Sequence, residues 1–259
     1  MTMTAADEAP YVPRAGLIGK ALRLRARAFA RYPLAIRLER PLVSVSFDDF
    51  PRSAATVARE ALERRGWRGT YYASAGLAGQ VNHLGRLFAA EDIVSLEAAG
   101  HEIGCHTFSH GDASRSRPFD LIADVERNCL ALGQMGLTQA PTTFAFPYGQ
   151  ASPAAKRALM TRYRALRSVR PGINRDGADR ALLTVAALEG GEAGIARAIA
   201  LIEAACREPG WVILYGHDVR DEPSPWGCTP AELERVLAAV AASDAEVLTV
   251  RGALDRLGA

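Results

Sequence analysis

From residue 41 onward the chain alternates short β-branched apolar runs with amphipathic helical stretches, and that rhythm restricts its fold more than any other feature. PLVSVSF, GTYYAS, HEIGCHTF, TTFAFPYG, YRALRSVR, ALLTVAALEG and WVILYGHD read as strands, and EVLTV closes the series. Between them SAATVAREALERRG, EDIVSLEAAG, FDLIADVERNCLALGQMG, SPAAKRALMTR, GIARAIALIEAACREPG and TPAELERVLAAVAAS carry helical periodicity. The last of these opens with Thr229 as its cap and Pro230 at the first helical position. Strands separated by helices favour parallel pairing with crossovers, so residues 41–259 are expected to form one α/β domain.

Chemistry in such folds collects where strands end and loops begin. Asp48 and Asp49 follow VSVSF, His106 and His110 follow EIGC, and Pro147-Tyr148-Gly149 follow TFAF. Arg170 follows RALRSV, and His217-Asp218 follow WVILYG. Every polar group that stands out is thus at the carboxyl end of an expected strand.

Residues 1–40 form a separate N-terminal segment. Residues 1–13 read as a flexible tail, and residues 14–40 hold eight basic residues and one acid. Lys20, Arg23, Arg27 and Arg31 fall at helical spacing, as do Leu17, Ala21, Leu24 and Ala28, describing a basic amphipathic helix that ends near Pro33. Such a helix either packs on the domain with a solvated charged face or rests on an anionic membrane surface.

A net charge of +2 over 259 residues does not describe a nucleic-acid binder. No apolar run reaches membrane-spanning length, and MTMTAADEAP puts acids and a proline where a secretion signal needs basic and then apolar residues. The expected location is the cytoplasm, with contact to the inner face of the membrane through residues 14–32 left open. The four cysteines are widely spaced without a CxxC and read as reduced core residues, Cys105 included. The sequence fixes no oligomeric state.

Three of five histidines lie in GHEIGCHTFSH. His106 and His110, four apart, can meet one cation if the chain turns helical just past His106, and a carboxylate from another strand would complete a facial site. Imidazole and carboxylate suit zinc, or cobalt, manganese or nickel; the alternative is a pair that caps a turn. Adjacent strand residues point to opposite sides, so Asp48 and Asp49 can divide their work, one on the metal and one facing an attacking water as general base. A turn-forming Asp pair ahead of Pro51 is the plainer alternative. His217, at the rim of a buried layer, offers a general acid.

SFDDF, HTFSH, FAFPYG, RSVRPGIN and LYGHD, in this order and spacing, resemble the five motifs of the polysaccharide deacetylases, the NodB-homology domain of carbohydrate esterase family four. The resemblance covers residues 41 to about 250 and implies a distorted (β/α) barrel of about seven parallel strands with a divalent metal, usually zinc. It implies Asp49, His106 and His110 as ligands, Asp48 as catalytic base and His217 as catalytic acid. The reaction implied is removal of an N-acetyl group from N-acetylglucosamine units, with the Tyr148 backbone N–H in the Pro147-Tyr148-Gly149 turn helping to hold the oxyanion. Trp226 is the expected platform for a sugar ring.

Three positions depart from the family pattern. Phe50 stands where glycine is frequent and is expected to reshape the pocket mouth. Ala145 replaces the arginine that usually steadies the base, a role expected to pass to Arg170. Tyr215 replaces a leucine that lines the acetyl pocket, and Asp176 and Asp218 are the candidates to pair with His217. Within the family, FAFPYG and the short chain resemble the type that modifies holdfast adhesin polysaccharide in stalked bacteria, acting before the glycan is exported. Two other readings remain: an amidohydrolase of the same fold acting on a formylated sugar or small cyclic amide, and a glycan-binding protein without activity.

Overall fold

In the computed structural model, which describes residues 11–259, seven parallel strands close into a barrel. They are β1 (Leu42–Asp48), β2 (Thr70–Ala73), β3 (Glu102–Cys105), β4 (Thr143–Ala145), β5 (Ala165–Pro171), β6 (Leu183–Ala187) and β7 (Trp211–Gly216). Each pairs with the next, and β7 pairs with β1 from Trp211↔Leu42 to Gly216↔Phe47, leaving no open edge between them. A two-residue strand, β8 (Glu246–Val247), adds to β1 outside the ring.

Alternation along each strand decides what faces in. Val43, Val45 and Phe47 of β1 belong to the outer core beneath the helices, whereas Leu42 joins Leu183, Trp211 and Ile213 in the cluster that fills the barrel. The same parity turns Ser44 inward, where it accepts the Trp211 indole N–H at 3.0 Å. On β3, Gly104 is required by close approach, since a Cβ there would stand 2.4 Å from the Tyr72 ring.

Helices α1 (Gly16–Ala28), α2 (Arg59–Glu63), α3 (Ala90–Ala98), α4 (Pro118–Gln134), α5 (Pro153–Leu159), α6 (Gly191–Arg207), α7 (Pro230–Ala242) and α8 (Val250–Arg256) surround the barrel. Their starts follow their sequences: Ser152 caps α5, and Thr229 with Glu232 forms a reciprocal box at α7. The helix expected over 53–66 is interrupted near its start by a π-helical stretch, Ala54–Ala58, that runs into α2. The sequence pattern gave no hint of α8. Its Val250 N–H donates to Thr70 Oγ1 at 2.9 Å, and its Arg251 N–H donates to the buried Glu102 carboxylate at 2.8 Å. Helix α8 therefore stoppers the amino end of the barrel and leaves the carboxyl end for chemistry.

The N-terminal segment is attached to this body. Pro33–Leu34 pairs antiparallel with Ala178–Asp179. The buried Lys156 of α5 donates to the α1 carbonyl of Ala26 at 2.9 Å and to that of Phe29 at 3.0 Å, and pairs with Asp179 at 2.6 Å. The expected tail falls mostly on residues outside the described range, but Tyr11 is placed: its ring lies 4.5 Å from that of Tyr148 and its hydroxyl bonds Asp112. Among the described residues no helix is long and apolar enough to cross a membrane.

Candidate metal centre

At the end of β1 the chain leaves the barrel through Asp49, whose φ of 48° lies in the left-handed region. That turn overrides strand alternation. Asp48 and Asp49 do not point apart as expected but converge on one imidazole, with His106 Nε2 at 3.9 Å from Asp48 and 4.0 Å from Asp49.

The two ligand histidines also meet by a different route from the one their spacing suggests. Residues 106–110 form no helical turn; Thr107 and His110 take φ values of 64° and 52°. Asp124 of α4 holds this loop by accepting the N–H groups of Phe108 at 3.1 Å and Ser109 at 3.3 Å. Strained φ values gathered at one place are characteristic of sites where geometry is imposed from outside.

The result is a compact donor set. One atom each from Asp49, His106 and His110 lies within 4.8 Å of the others, and His110 Nε2 is 3.1 Å from Asp49. His106 donates its Nδ1–H to the Ala145 carbonyl at 2.8 Å, and His110 Nδ1 bonds the Tyr148 hydroxyl at 3.0 Å, so both Nε2 atoms turn inward. Burial pushes both imidazoles down to about 4, keeping them neutral with lone pairs available near pH 7. Asp49 Oδ1 is buried with no hydrogen-bond partner. An orphaned carboxylate oxygen beside two inward lone pairs is what a divalent cation satisfies, so these residues fit the metal that the motifs imply.

Asp48 sits inside the barrel and is paired with Arg167, not Arg170. Strand parity explains the correction. Arg167 faces inward with Ala165, whereas Arg170, an odd number of residues further on, lies on the other side and lines a separate cavity with Arg27 and Arg31. Arg167 is the in-register neighbour of Ala145, so the guanidinium missing at position 145 arrives from the adjacent strand. It is fully buried between the Tyr72 and Tyr215 rings, 5.0 and 5.1 Å away. Burial alone would raise the Asp48 pKa, but Arg167, with His106 and His217, holds it below the usual carboxylate range.

His217 stands at the end of β7, and its Nδ1 bonds the Trp226 carbonyl at 3.2 Å. Neither expected aspartate pairs with it. Asp218 accepts the Ser224 N–H at 2.8 Å and pairs with Arg220 at 2.8 Å, organising the 218–228 loop, and Asp176 accepts the Ile36 N–H at 3.1 Å. Trp226 is 38% exposed and packs edge-on against His83 at 4.9 Å. Phe50 does not reach the mouth: it is fully buried, stacked on Phe88 at 4.4 Å. Pro147 is buried at the start of a turn in which Tyr148 has a φ of 57° and a Cβ on Gly149 would stand 2.2 Å from Val169.

Glu189, two residues past β6, belongs to no motif in the sequence although it lies at a strand end like the others. Its Oε2 accepts the Tyr215 hydroxyl at 3.2 Å. Burial raises its pKa, while His217 and Tyr215 act against that rise.

The polysaccharide deacetylase family profile matches residues 35–164. The chain belongs to the polysaccharide deacetylase family. No curated protein matches it by sequence. Among solved structures, the T48 deacetylase with substrate shares 16% identity and a TM-score of 0.59 over 84% of this chain and 92% of that one. The family 4 acetyl xylan esterase from Clostridium thermocellum, in complex with a cobalt ion, shares 22% identity and a TM-score of 0.57 over 84% and 92%. A peptidoglycan deacetylase from Bacillus subtilis shares 14% identity and a TM-score of 0.54 over 86% and 94%. At such identities the likeness is one of fold, and it agrees with the distorted (β/α) barrel of about seven strands that the motifs implied.

Proposed function

We propose that this chain is a metal-dependent deacetylase that hydrolyses the N-acetyl group of N-acetylglucosamine units in a polysaccharide or lipid-linked oligosaccharide. One observation carries the reading: Asp49, His106 and His110 present donor atoms within 4.8 Å of one another, and Asp48, ionised beside Arg167, stands against the same imidazole. A cation held there, zinc or else cobalt, manganese or nickel, supplies Lewis acidity.

The chain's own groups account for the rest. Asp48 takes a proton from the attacking water, whose oxygen joins the acetyl carbon. The Tyr148 N–H, set by the rigid Pro147 turn, donates to the oxyanion. His217, steadied through Nδ1 by the Trp226 carbonyl, gives a proton from Nε2 to the departing amine as the C–N bond breaks. Acetate and a free amine result, and the amine becomes a cation that alters cohesion of the polymer.

The half-exposed Trp226 beside His217 suits stacking on a sugar ring and favours a glycan over a small cyclic amide. Helix α1 leaves Leu17, Ile18 and Leu24 exposed among its arginines, which supports peripheral contact with an anionic membrane. An enzyme of the exopolysaccharide or holdfast type would thereby meet a glycan at the cytoplasmic face before export.

The test is acetate release from N-acetylglucosamine oligomers by metal-loaded protein, beside formate release from an N-formylated sugar and opening of a cyclic amide. Acetate release, falling about 10²–10⁴-fold in Asp48→Ala, is expected. Activity confined to the other two substrates would move the reading to a different amidohydrolase. Metal and glycan binding without any turnover would move it to a binding protein.

A further inference from the structure

Away from the metal centre, α1 and the loop after β5 enclose a cavity of about 430 Å³. It shares no lining residue with the metal centre. A water takes about 30 Å³ of liquid volume, so the space admits a multi-atom group. Four guanidinium groups line it: Arg27 from α1, Arg31 from the segment that follows it, Arg170 from β5, and Arg175 from the loop.

Of the two carboxylates in the same wall, Asp179 is held by a lysine and Asp176 by a backbone N–H. Asp179 is paired with Lys156 at 2.6 Å and accepts the Tyr32 N–H at 2.9 Å, and Asp176 accepts the Ile36 N–H. Arg175 faces the exposed Glu208 at 3.3 Å. Among the described residues Arg27, Arg31 and Arg170 enter no ion pair, although Arg31 is aimed by a bond from Nη2 to the Gly177 carbonyl at 3.0 Å. Burial, followed by the like charge of Arg27, pushes the Arg170 guanidinium below its ordinary range, with Asp179 opposing the shift and Arg31 adding to it. Four guanidinium groups gathered against two carboxylates leave an excess of like charge that costs free energy, and an anion between them reverses the sign.

We propose that this cavity binds a phosphate or diphosphate group, held by Arg27, Arg31 and Arg170 through paired charge-assisted hydrogen bonds. Planar guanidinium forks match phosphate oxygens two at a time, and a multiply charged anion makes better use of several of them than a single carboxylate does. Leu24 lies on the same wall and is itself exposed, which places the mouth beside the apolar stretch of α1. A phosphate carried on a lipid could enter there; a soluble phosphate could enter equally.

The test is calorimetric titration of inorganic pyrophosphate into the full chain, run with metal loaded and again after chelation, since pyrophosphate can also bind a cation. Saturable binding in both states is expected, weakened at least tenfold in Arg27→Ala/Arg170→Ala and in the milder Arg170→Gln. Arg117→Ala, an exposed change just ahead of α4, leaves it unaltered. Because the double variant removes like-charge repulsion, its unfolding midpoint should match or exceed that of the unaltered protein, separating lost binding from lost fold. A second arm uses phosphatidylcholine vesicles with and without phosphatidic acid. Retention on the acidic vesicles that disappears in Arg170→Gln assigns a lipid-borne phosphate, and pyrophosphate binding without such retention assigns a soluble one. No saturable pyrophosphate binding, binding indifferent to both variants, or tighter binding of glucuronate than pyrophosphate would overturn the proposal.

Discussion

Asp48 is a carboxylate held ionised inside a barrel by one buried guanidinium, and the two groups depend on each other. Removing Arg167 leaves an unpaired buried charge, a change that typically costs about 3–5 kcal/mol. Arg167→Ala is therefore expected to lower both the unfolding free energy and turnover, while Arg170→Ala leaves turnover near that of the unaltered enzyme. Because Ala145 is the register partner of Arg167, Ala145→Arg combined with Arg167→Ala moves the guanidinium one strand over to the same level. Recovery of part of the lost turnover would support this pairing; a double variant no better than Arg167→Ala would contradict it. The residue types of the site were legible in the sequence, because Asp-Asp and HTFSH carry their chemistry in their spacing. The partner of Asp48 was not. RALRSVR offers arginines three apart, and choosing between them requires the register of β5 against β4, which depends on how the barrel closes rather than on any local pattern.

At the scale of elements, His101 joins the start of β3 to its neighbours and takes no part in the metal centre. Its Nδ1 accepts the Gly69 N–H at 2.9 Å and its Nε2–H donates to Glu63 at 3.1 Å, an arrangement available only to the neutral ring. Burial, only partly opposed by Glu63, sets its pKa below 6.5 in the folded state. The unfolded chain then binds the extra proton first, so this contribution is complete above pH 6.5 and is lost as pH falls toward the folded value. His101→Gln should flatten the pH dependence of unfolding free energy below pH 6.5, by up to about 1.4 kcal/mol per pH unit. Identical slopes would contradict the assignment. Strand and helix order followed from hydrophobic periodicity, whereas α8 and the hairpin Val81–Arg86 did not. Val250–Arg256 is short and follows a strand-like run, and its helix is fixed by what it plugs: the Thr70 and Glu102 side chains at the base of the barrel.

As a whole molecule, the protein separates three tasks. The amino end of the barrel is sealed by α8, the carboxyl end gathers carboxylates and imidazoles from β1, β3 and β7, and α1 adds a basic, partly apolar flank. That the site groups fall at strand ends is what made the candidate site legible in the sequence. What a sequence cannot state is the convergence itself, because left-handed turns at Asp49 and His110 place side chains where regular elements would not. The most direct test of that convergence is anomalous diffraction at the metal absorption edge from crystals of the zinc-loaded protein. A single strong peak is expected at about 2.0–2.2 Å from one Asp49 oxygen and from Nε2 of both His106 and His110. A peak elsewhere, or none within reach of all three, would contradict the account.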